Sequence, residues 1–382
     1  MIVTRLRLTN WKNFRAVDVA LRERIFVVGP NASGKSNLLD VFRFLRDLAR
    51  PRGGGLQQAV ASRGGLSKIR CLAARQNPLV EVDVELGEPG AAVAAWRYAI
   101  GIRQENKGKR RTMLAYERVW KNGVQILDSP KSEGVDRDDE QLTETNLESP
   151  KTNQKFRPLA EYFGAISYLH LVPQLLRSVK SAELEQGGED FHGRNFLVRV
   201  AKTPEQTRKK RLQRTLEALS KAVPQFKELK EEKDAAGIPH LLMRLEHWRP
   251  DAGWQNEEQF SDGTIRMLGL FWAMQEGDSM LLFEEPELSL NDRIVAELPA
   301  LLWRLQASRG RQVLATTHSY SLLSDEGIAP EEVLLLEPGK EGTKVVEAGE
   351  LPDVVAMVKS GATIGDAVLP RATPEHAHEL AL

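Results

Sequence analysis

The chain has 382 residues, enough for two or three lobes at about 150 residues per domain. Lysine plus arginine and aspartate plus glutamate each number 53, so no global positive field marks a nucleic-acid binder, and any such surface must be a local patch. A single cysteine, Cys71, excludes an internal disulfide, and the lack of an apolar signal core or a bilayer-length apolar run favours a cytoplasmic protein with no membrane partner.

The first 100 residues are rich in short apolar or alternating segments, such as IVTRLRLTNW, RIFVVG and LVEVDVEL. Segments of this kind are typical of β-strands, so we expect a β-rich N-terminal lobe. Within it, FVVGPNASGKSNLLDVF begins like a buried parallel strand and continues, from Ser36, with leucines at helical spacing. This segment therefore predicts a strand, a loop and a helix.

The loop of that segment fits the pattern G-x-x-x-x-G-K-[ST]. Gly29 and Gly34 let the backbone wrap an anion, so that successive N–H groups and the helix N-terminus point at phosphate oxygens. Lys35 would reach the β- and γ-phosphates of a nucleotide, and the Ser36 hydroxyl would hold Mg²⁺. A glycine-rich turn with a chance lysine is the alternative, which the strand–loop–helix context disfavours.

Residues 104–158 are a polar insertion around one expected hairpin, whose turn is Asn122-Gly123. The acidic and Ser/Thr-rich part of this insertion predicts a mobile surface segment. Residues 177–250 then predict a helical lobe. Two basic runs, at residues 107–111 and 208–214, could contact nucleic-acid phosphates. The alternative for these runs is a solvated helix face, and the sequence leaves both open.

The segment FSDGTIRMLGLFWAM starts with small polar residues and continues as an apolar helix. Ser261 is placed as its N-cap, and Gly263 allows close approach of another backbone. The segment therefore predicts a second helix N-terminus that can bind an anion, with an ordinary capped core helix as the alternative.

The next segment, SMLLFEEPELSL, is a continuously apolar strand that ends in Glu284 and Glu285. The carboxyl ends of strands in open α/β sheets are where the loops gather ligands. Glu284 would bind Mg²⁺, and Glu285 would orient or deprotonate the attacking water. A strand that merely ends in exposed acids is the alternative.

The last feature is a buried strand at residues 313–315, within RQVLATTHSYSLLSD, that leads to His318. A histidine at this point could hydrogen-bond the γ-phosphate and so distinguish a triphosphate from a diphosphate. A purely structural histidine is the alternative.

In this order the four features resemble the motifs of an ABC-type ATPase head of the RecF, SMC and OLD kind, over most of the chain. GPNASGKSN resembles Walker A, FSDGT the signature, LLFEEPE Walker B, LSLND the D-loop and ATTHS the H-loop. LRLTNWKNFRAVDVAL resembles the opening strand and nucleotide-edge loop of these families. The resemblance implies a P-loop NTPase fold of the α/β class with a mixed sheet. The head would comprise residues 1–176 and 251–382, with the helical lobe at 177–250 between them.

The resemblance also implies which residues bind ATP and Mg²⁺. The expected nucleotide-binding residues are Gly29, Asn31, Ser33, Gly34, Lys35, Ser36, Asn37, Gln174, Ser261 and Gly263. Lys35, Glu285 and His318 would act in catalysis, and Ser36 and Glu284 would bind the metal. Gln174 is the candidate for the Q-loop glutamine.

Heads of this kind dimerise head-to-tail, so the resemblance implies a homodimer or higher oligomer in which ATP on Lys35 of one copy meets Ser261 and Gly263 of the other. Asp292 would then lie near the dimer seam. OLD enzymes continue into a nuclease domain after the H-loop, whereas no convincing cluster of acidic metal ligands follows His318 here. We therefore expect a separately encoded effector, such as a nuclease, and DNA is a further candidate partner.

Two departures from the family pattern bear on activity. Glu284 stands where most ABC ATPases have aspartate, which could alter metal geometry and slow turnover. SDGT replaces the commoner SGGQ, so that Asp262 brings a negative charge towards the γ-phosphate of the other copy. The expected function is an ATP-hydrolysing switch on DNA or an effector, in phage defence or DNA repair. An ATP-dependent dimerisation scaffold with negligible turnover is the alternative, and a transport ATPase is a distant third.

Overall fold

The computed structural model describes residues 1–50, 53–74, 77–105, 110–130, 139–177, 192–249 and 252–373. These residues form two compact units. The first unit comprises Met1–Ser167, Asp278–Leu282 and the chain from Pro299 onward, and the second comprises Tyr168–Gly277 and Phe283–Leu298. The chain therefore enters the second unit twice and returns to the first unit twice.

Strands and helices occur in both units. The strands are β1 (Ile2–Trp11), β2 (Phe14–Ala20), β3 (Arg24–Val28), β4 (Val80–Gly87), β5 (Trp96–Gln104), β6 (Thr112–Lys121), β7 (Val124–Ser129), β8 (Ser167–Leu169), β9 (Phe226–Lys233), β10 (Pro239–Leu245), β11 (Trp254–Asn256), β12 (Leu281–Glu284), β13 (Val313–Thr317), β14 (Val333–Gly339) and β15 (Gly342–Glu347). The α-helices are α1 (Lys35–Ala49), α2 (Leu56–Ala61), α3 (Leu66–Ile69), α4 (Arg157–Gly164), α5 (Pro173–Leu176), α6 (Phe196–Lys202), α7 (Glu205–Ala222), α8 (Asp262–Met274), α9 (Asp292–Ala296), α10 (Leu298–Arg309), α11 (Tyr320–Leu323), α12 (Pro352–Lys359) and α13 (Ile364–Ala372).

The first sheet of the first unit is antiparallel, with strand order β2-β1-β4-β5-β6-β7. Along its strands, buried and more exposed side chains alternate, because one face of the sheet is buried. In β4, for example, Val80, Val82 and Val84 are buried, and the acidic residues between them are half-buried. The expected hairpin is confirmed, since β6 and β7 are joined by Asn122 and Gly123 with φ values of 50° and 79°, as a type I′ turn requires.

The second sheet is mixed, with strand order β15-β14-β3-β13-β12-β8. β3 is buried along its whole length and pairs in parallel with both β13 and β14, whereas β14 pairs antiparallel with β15. Thr317 at the end of β13 lies opposite Val28 at the end of β3. The chain therefore leaves both strands at the same edge of the sheet, and the predicted α/β class with a mixed sheet is confirmed.

Within the acidic and Ser/Thr-rich part of the insertion, for which mobility was expected, residues 146 and 147 are anchored to the first sheet. The buried Glu117 carboxylate accepts hydrogen bonds from the backbone N–H of Asn146 at 2.6 Å and of Leu147 at 3.0 Å, and from the Tyr98 hydroxyl at 3.0 Å. Burial raises the pKa of Glu117, although these donors oppose the rise. Residues 106–109 and 131–138 of the insertion lie outside the described residues.

The second unit corrects the expectation that residues 177–250 form a helical lobe. The helices α6 and α7 are present, but residues 226–245 form β9 and β10, which join β11 in an antiparallel sheet. Pro224 stops the helical pattern, and Leu241 and Met243 are then buried at a spacing of two, as in a strand with one buried face. Residues 178–191 and 250 of this segment lie outside the described residues.

Within the described chain, no helix combines the length and the apolar character needed to span a bilayer.

Candidate functional site

The predicted phosphate loop joins β3 to α1 in the first unit, and two of its glycines leave no room for a side chain. Gly34 has φ 101° at the N-terminus of α1, and a Cβ there would collide with the Asn13 amide. A Cβ on Gly29 would lie 2.7 Å from Ser33 Oγ and 2.8 Å from Leu336 Cβ. Both positions therefore require glycine for the backbone to wrap tightly.

The Lys35 side chain is held over this loop. Its Nζ donates to the Gly29 carbonyl oxygen at 3.0 Å and to that of Pro30 at 3.1 Å, and the residue is only 8 % exposed. The Ser33 Oγ is also buried, and it has no hydrogen-bond partner among the described residues. A buried ammonium, an orphaned hydroxyl and a helix N-terminus together fit the oxygens of a phosphate chain.

Two residues that the sequence analysis missed, both distant from the loop along the chain, hydrogen-bond to it. The Asn13 amide donates to the Ser33 carbonyl oxygen at 2.7 Å, and its oxygen accepts from Asn37 Nδ2 at 2.8 Å. The Thr343 hydroxyl donates to the same Ser33 oxygen at 2.9 Å and accepts from Asn13 at 2.8 Å. The polar Asn13 in the tight β1–β2 turn was a readable signal, whereas nothing near Thr343 marks it.

The other residues predicted for the first unit lie around the same loop. Asn31 and Ser36 are exposed, Asn37 is half-buried, and Ser36 is the second residue of α1. The half-buried His318 directly follows β13, whose last residue pairs with the residue before Gly29, so the histidine leaves the sheet at the edge that carries the phosphate loop. The first unit therefore brings together the phosphate loop and the strand end that positions His318.

The two predicted carboxylates lie in the second unit. Glu284 is the last residue of β12, and the Tyr168 hydroxyl donates a hydrogen bond to its carboxylate. Glu285 has φ 44°, a left-handed conformation that costs a non-glycine residue about 1 kcal/mol. Arg266 donates to the Glu285 carbonyl oxygen at 3.0 Å. Since both acids are half-buried in a fixed turn, the alternative of a strand that ends in exposed acids does not apply.

Arg266 is itself nearly buried, with 4 % of its surface exposed. Burial lowers the pKa of its guanidinium, and the negative charges of Glu287 and Glu285 oppose that decrease. The arginine therefore contributes a positive charge to the turn after β12 as well as a hydrogen bond.

The signature segment also lies in the second unit, and its predicted N-cap is confirmed. The Ser261 Oγ accepts from the Thr264 backbone N–H at 3.2 Å at the start of α8. A Cβ on Gly263 would lie 2.7 Å from the Ser289 carbonyl oxygen. Gly263 is thus required for packing against the Ser289 backbone of its own chain, which agrees with the expectation that it allows close approach of another backbone.

The negative charge of Asp262 is paired. Arg177 Nη2 donates to Asp262 Oδ1 at 2.6 Å and to the Phe260 carbonyl oxygen at 2.7 Å. Sequence analysis missed Arg177 because it lies 85 positions from its partner in the chain and belongs to no motif. The charge that was expected to oppose ATP-driven closure is therefore largely neutralised by this ion pair.

Gln174 and Asp292 remain predictions. Gln174 is an exposed residue of the short helix α5, and Asp292 is the exposed first residue of α9. The sequence-predicted residues thus fall into two groups: the phosphate loop and His318 in the first unit, and the carboxylates, the signature and Gln174 in the second.

Comparison with known proteins found no match among curated proteins. Among solved structures, the chain resembles the SmcHead bound to the C-winged helix domain of ScpA, with a TM-score of 0.55, 14% identity and coverage of 91% of this chain and 97% of that one. The SMC head domain from Thermotoga maritima matches with a TM-score of 0.50, 13% identity and coverage of 91% and 99%. The Smc head domain bound to the C-terminal domain of ScpA, derived from Pyrococcus furiosus, matches with a TM-score of 0.50, 14% identity and coverage of 94% and 99%.

These similarities establish the fold as that of an SMC head domain. Residues 24–324, which include the phosphate loop, the signature, the carboxylate pair and His318, match one protein family. The chain belongs to that family, described as "AAA domain, putative AbiEii toxin, Type IV TA system".

Proposed function

We propose that this protein binds ATP with Mg²⁺ and hydrolyses it to ADP and phosphate. It would act as a homodimer or higher oligomer that closes around ATP and so switches DNA, a separately encoded effector such as a nuclease, or both. Its role would be in phage defence or DNA repair, in the cytoplasm. The observation that carries the proposal is the phosphate loop, in which Lys35 and the orphaned Ser33 hydroxyl are held for an anion.

Each predicted residue has a role in this proposal. Lys35 would bind the β- and γ-phosphates, and His318 would contact the γ-phosphate. Glu285 would orient or deprotonate the attacking water. Ser36 and Glu284 would hold Mg²⁺, which would neutralise charge on the phosphates. Because no group of three or more His, Cys, Asp or Glu side chains in the described residues could hold a metal, the ion would need ATP oxygens to complete its ligands.

The remaining nucleotide-binding residues complete the proposed pocket. Gly29, Gly34, Asn31 and Asn37 would line the phosphate loop. Ser261 and Gly263 would contact the γ-phosphate bound to the other copy of the chain, with Gln174 and Asp292 close to that contact. ATP would then hold two subunits together until hydrolysis removes its terminal phosphate.

A protein partner is supported by the solved relatives. Two of the matched SMC heads were determined with a bound domain of ScpA. We propose by analogy that this head also passes its ATP-dependent change to another protein.

The test is ATP turnover by the full chain, with and without DNA, compared with Glu285→Gln. We expect this substitution to lower turnover by about 10²–10⁴-fold because it removes a general base. It should also trap an ATP-dependent dimer in light scattering. Glu258→Gln, at an exposed position, is the matched control and should leave both unchanged. Unchanged turnover in Glu285→Gln, or a strictly monomeric protein with ATP, would contradict the proposal.

One observation favours the scaffold as a second candidate function. The Tyr168 hydroxyl donates to Glu284, so that this carboxylate is engaged by a donor that competes with a metal ion. A scaffold would dimerise with ATP while the wild-type chain shows no measurable turnover. Wild-type turnover therefore separates the two functions. If competition from the Tyr168 hydroxyl weakens the metal site, Tyr168→Phe should raise ATP turnover, and unchanged turnover in this variant would remove the observation that favours the scaffold.

A further inference from the structure

A cavity of about 530 Å³ lies between α3 and the C-terminal end of β5. Three arginines line it, namely Arg70, Arg103 and Arg110. They come from separate segments: Arg70 follows α3, Arg103 lies on β5, and Arg110 precedes β6. Three positive charges that converge from distant points of the chain differ from a basic run along one solvated helix.

Within the described residues, these three arginines have no paired carboxylate. None of the three guanidinium groups forms an ion pair or a side-chain hydrogen bond with any residue that the structure describes. The one lining carboxylate, Glu105, is engaged by Arg111 at 3.3 Å. A cavity that gathers like charges without a partner is electrostatically prepared for an anion.

Elsewhere on the same sheet, arginines are paired. Arg97 lies 2.5 Å from Asp83, Arg118 lies 2.9 Å from Asp128, and Arg5 lies 2.6 Å from Asp18. The chain as a whole carries equal numbers of basic and acidic residues. The positive charge of the cavity is therefore a local excess rather than a property of the whole surface.

The second basic run, at residues 208–214, shows the contrast within the second unit. Arg208 pairs with Glu231 at 3.3 Å, and Lys209 pairs with Glu205 at 2.6 Å. Arg211 lies over the Trp272 ring at 5.4 Å from its centroid. These three charges are engaged within the protein, so this run is the less favourable site for phosphates.

Backbone hydrogen bonds hold the chain segments that carry Arg103 and Arg110. Arg110 has φ 54°, and its carbonyl oxygen accepts from Gln104 Nε2 at 3.2 Å. Glu105 and Arg111 are joined by a backbone hydrogen bond of 2.9 Å, which extends the β5–β6 ladder beyond the strands. Arg103 therefore lies on the β5–β6 ladder, and Arg110 directly precedes the residue that extends this ladder.

The lining chemistry selects the class of anion. Among the described lining residues none is aromatic, so the cavity offers no surface on which a base could stack. Guanidinium groups match the planar, bidentate geometry of phosphate oxygens, and Ser67 and Gln104 add neutral donors. We propose that this cavity binds backbone phosphates of a nucleic acid, without reading its sequence. This inference rests on the proposed function only where it connects nucleic-acid binding to the ATP-driven switch.

The experiment measures binding of the full chain to a fluorescent DNA duplex of about three helical turns, and to a single strand of equal length, without nucleotide. The variant is Arg70→Gln/Arg103→Gln/Arg110→Gln. We expect its affinity for the duplex to fall at least about 10-fold. Its slope of log affinity against log salt between about 50 and 200 mM should shrink by about 0.9 for each phosphate that the variant no longer neutralises.

The matched control is Arg5→Gln/Arg97→Gln/Arg118→Gln, which removes the same formal charge from paired arginines of the same sheet. We expect it to stay within about 2-fold of the parent, because those charges are already neutralised. If the control loses as much affinity as the cavity variant, or if the cavity variant binds like the parent, the proposal is overturned. Binding of an acidic peptide through these arginines, with no binding of duplex or single strand, overturns it as well.

Failure of this inference and failure of the proposed function are distinguishable. ATP binding and turnover are measured on the same variants, and the cavity variant should keep basal ATP binding while its affinity for DNA falls. Lys35→Ala should lose ATP binding while its affinity for DNA stays unchanged. Should the triple variant fail to unfold cooperatively on heating, Arg110→Gln alone serves as the test, since this exposed side chain makes no interaction on which the fold of the described chain depends.

Discussion

The phosphate loop and the signature segment both present a helix N-terminus, but they are supported in different ways. The loop is held by neutral hydrogen bonds that are buried or partly buried, and the Thr343 hydroxyl bonds the Ser33 carbonyl oxygen across 310 positions of the chain. The signature is held by an ion pair between Arg177 and Asp262, whose side chains are 20% and 46% exposed. Buried neutral bonds are insensitive to salt, whereas exposed ion pairs are screened. The phosphate loop is therefore preorganised, and the signature is open to adjustment by its surroundings.

The largest expected effect comes from Asn13→Ala, which removes three hydrogen bonds around the phosphate loop. At about 1 kcal/mol for each neutral bond, the Kd for ATP should rise about 10- to 100-fold, as measured by calorimetry. Asn77→Ala is the control, because that side chain accepts only an exposed bond from Leu79 among the described residues. An unchanged Kd in Asn13→Ala would show that the loop does not depend on remote support.

The next effect is expected for Gly263→Ala, which tests whether the signature glycine is needed within its own chain. Its Cβ would lie 2.7 Å from the Ser289 carbonyl oxygen, so the Ser289 loop must shift at a cost of about 1–3 kcal/mol. The thermal unfolding midpoint should fall even without ATP. Gly164→Ala, at the end of α4 with open space around its Cβ, should leave the midpoint unchanged or raise it. A lowered ATP response with an unchanged midpoint would instead assign Gly263 to the partner copy alone.

A smaller effect is expected for Arg177→Gln, which leaves the Asp262 charge without its partner. An ion pair of this exposure contributes about 0.2–1 kcal/mol, so ATP-driven dimerisation should weaken about 2- to 5-fold at low salt and less at high salt. Adding Asp262→Gly should restore it, since no unpaired charge then remains. The matched control is Arg244→Gln on β10, which breaks a pair with Glu228. Equal weakening in both variants would refute a specific role for Arg177.

The smallest effect is a pH dependence at His240 in the second unit. Burial lowers the pKa of His240, but the hydrogen bond to Glu257 at 2.7 Å and the charges of Glu257 and Asp234 outweigh it, so the pKa is raised above 6.5. The protonated form is favoured in the folded state. Its stabilisation is complete below the unfolded pKa and is lost as pH rises through the raised value.

The unfolding midpoint of the wild type should therefore fall by about 1–2 °C more than that of His240→Gln between about pH 6 and pH 8.5. His247→Gln is the control, since His247 is exposed and has no carboxylate partner in the described chain. Glu257 lies four residues before Ser261. A pH dependence of ATP-driven dimerisation over the same range would therefore indicate that the signature segment responds to pH and salt more than the phosphate loop does. Parallel pH curves for wild type and His240→Gln would exclude this histidine.

Local patterns were sufficient for some elements and misleading for others. The phosphate loop, the Asn122-Gly123 turn and the Ser261 N-cap were predictable, because each is specified by a few consecutive residues whose conformational needs are strong. The helical lobe was only partly right, because alternation in β10 is visible only once the helical pattern has stopped at Pro224. The predicted mobile insertion was misjudged because composition does not show which polar groups, such as Glu117, are satisfied inside the fold.

The order of the motifs and the α/β class were readable from the residues alone, and the same motifs predict which residues would contact a nucleotide. The hydrogen bonds of Asn13 and Thr343 to the phosphate loop, the pairing of Arg177 with Asp262 and the cavity shared by three arginines became visible only in the folded chain. The difference lies in how far apart along the chain the interacting residues are. Backbone conformation and periodicity are encoded by neighbours in the chain, whereas the partner of a charge or a buried donor is selected by folding from residues far away in sequence.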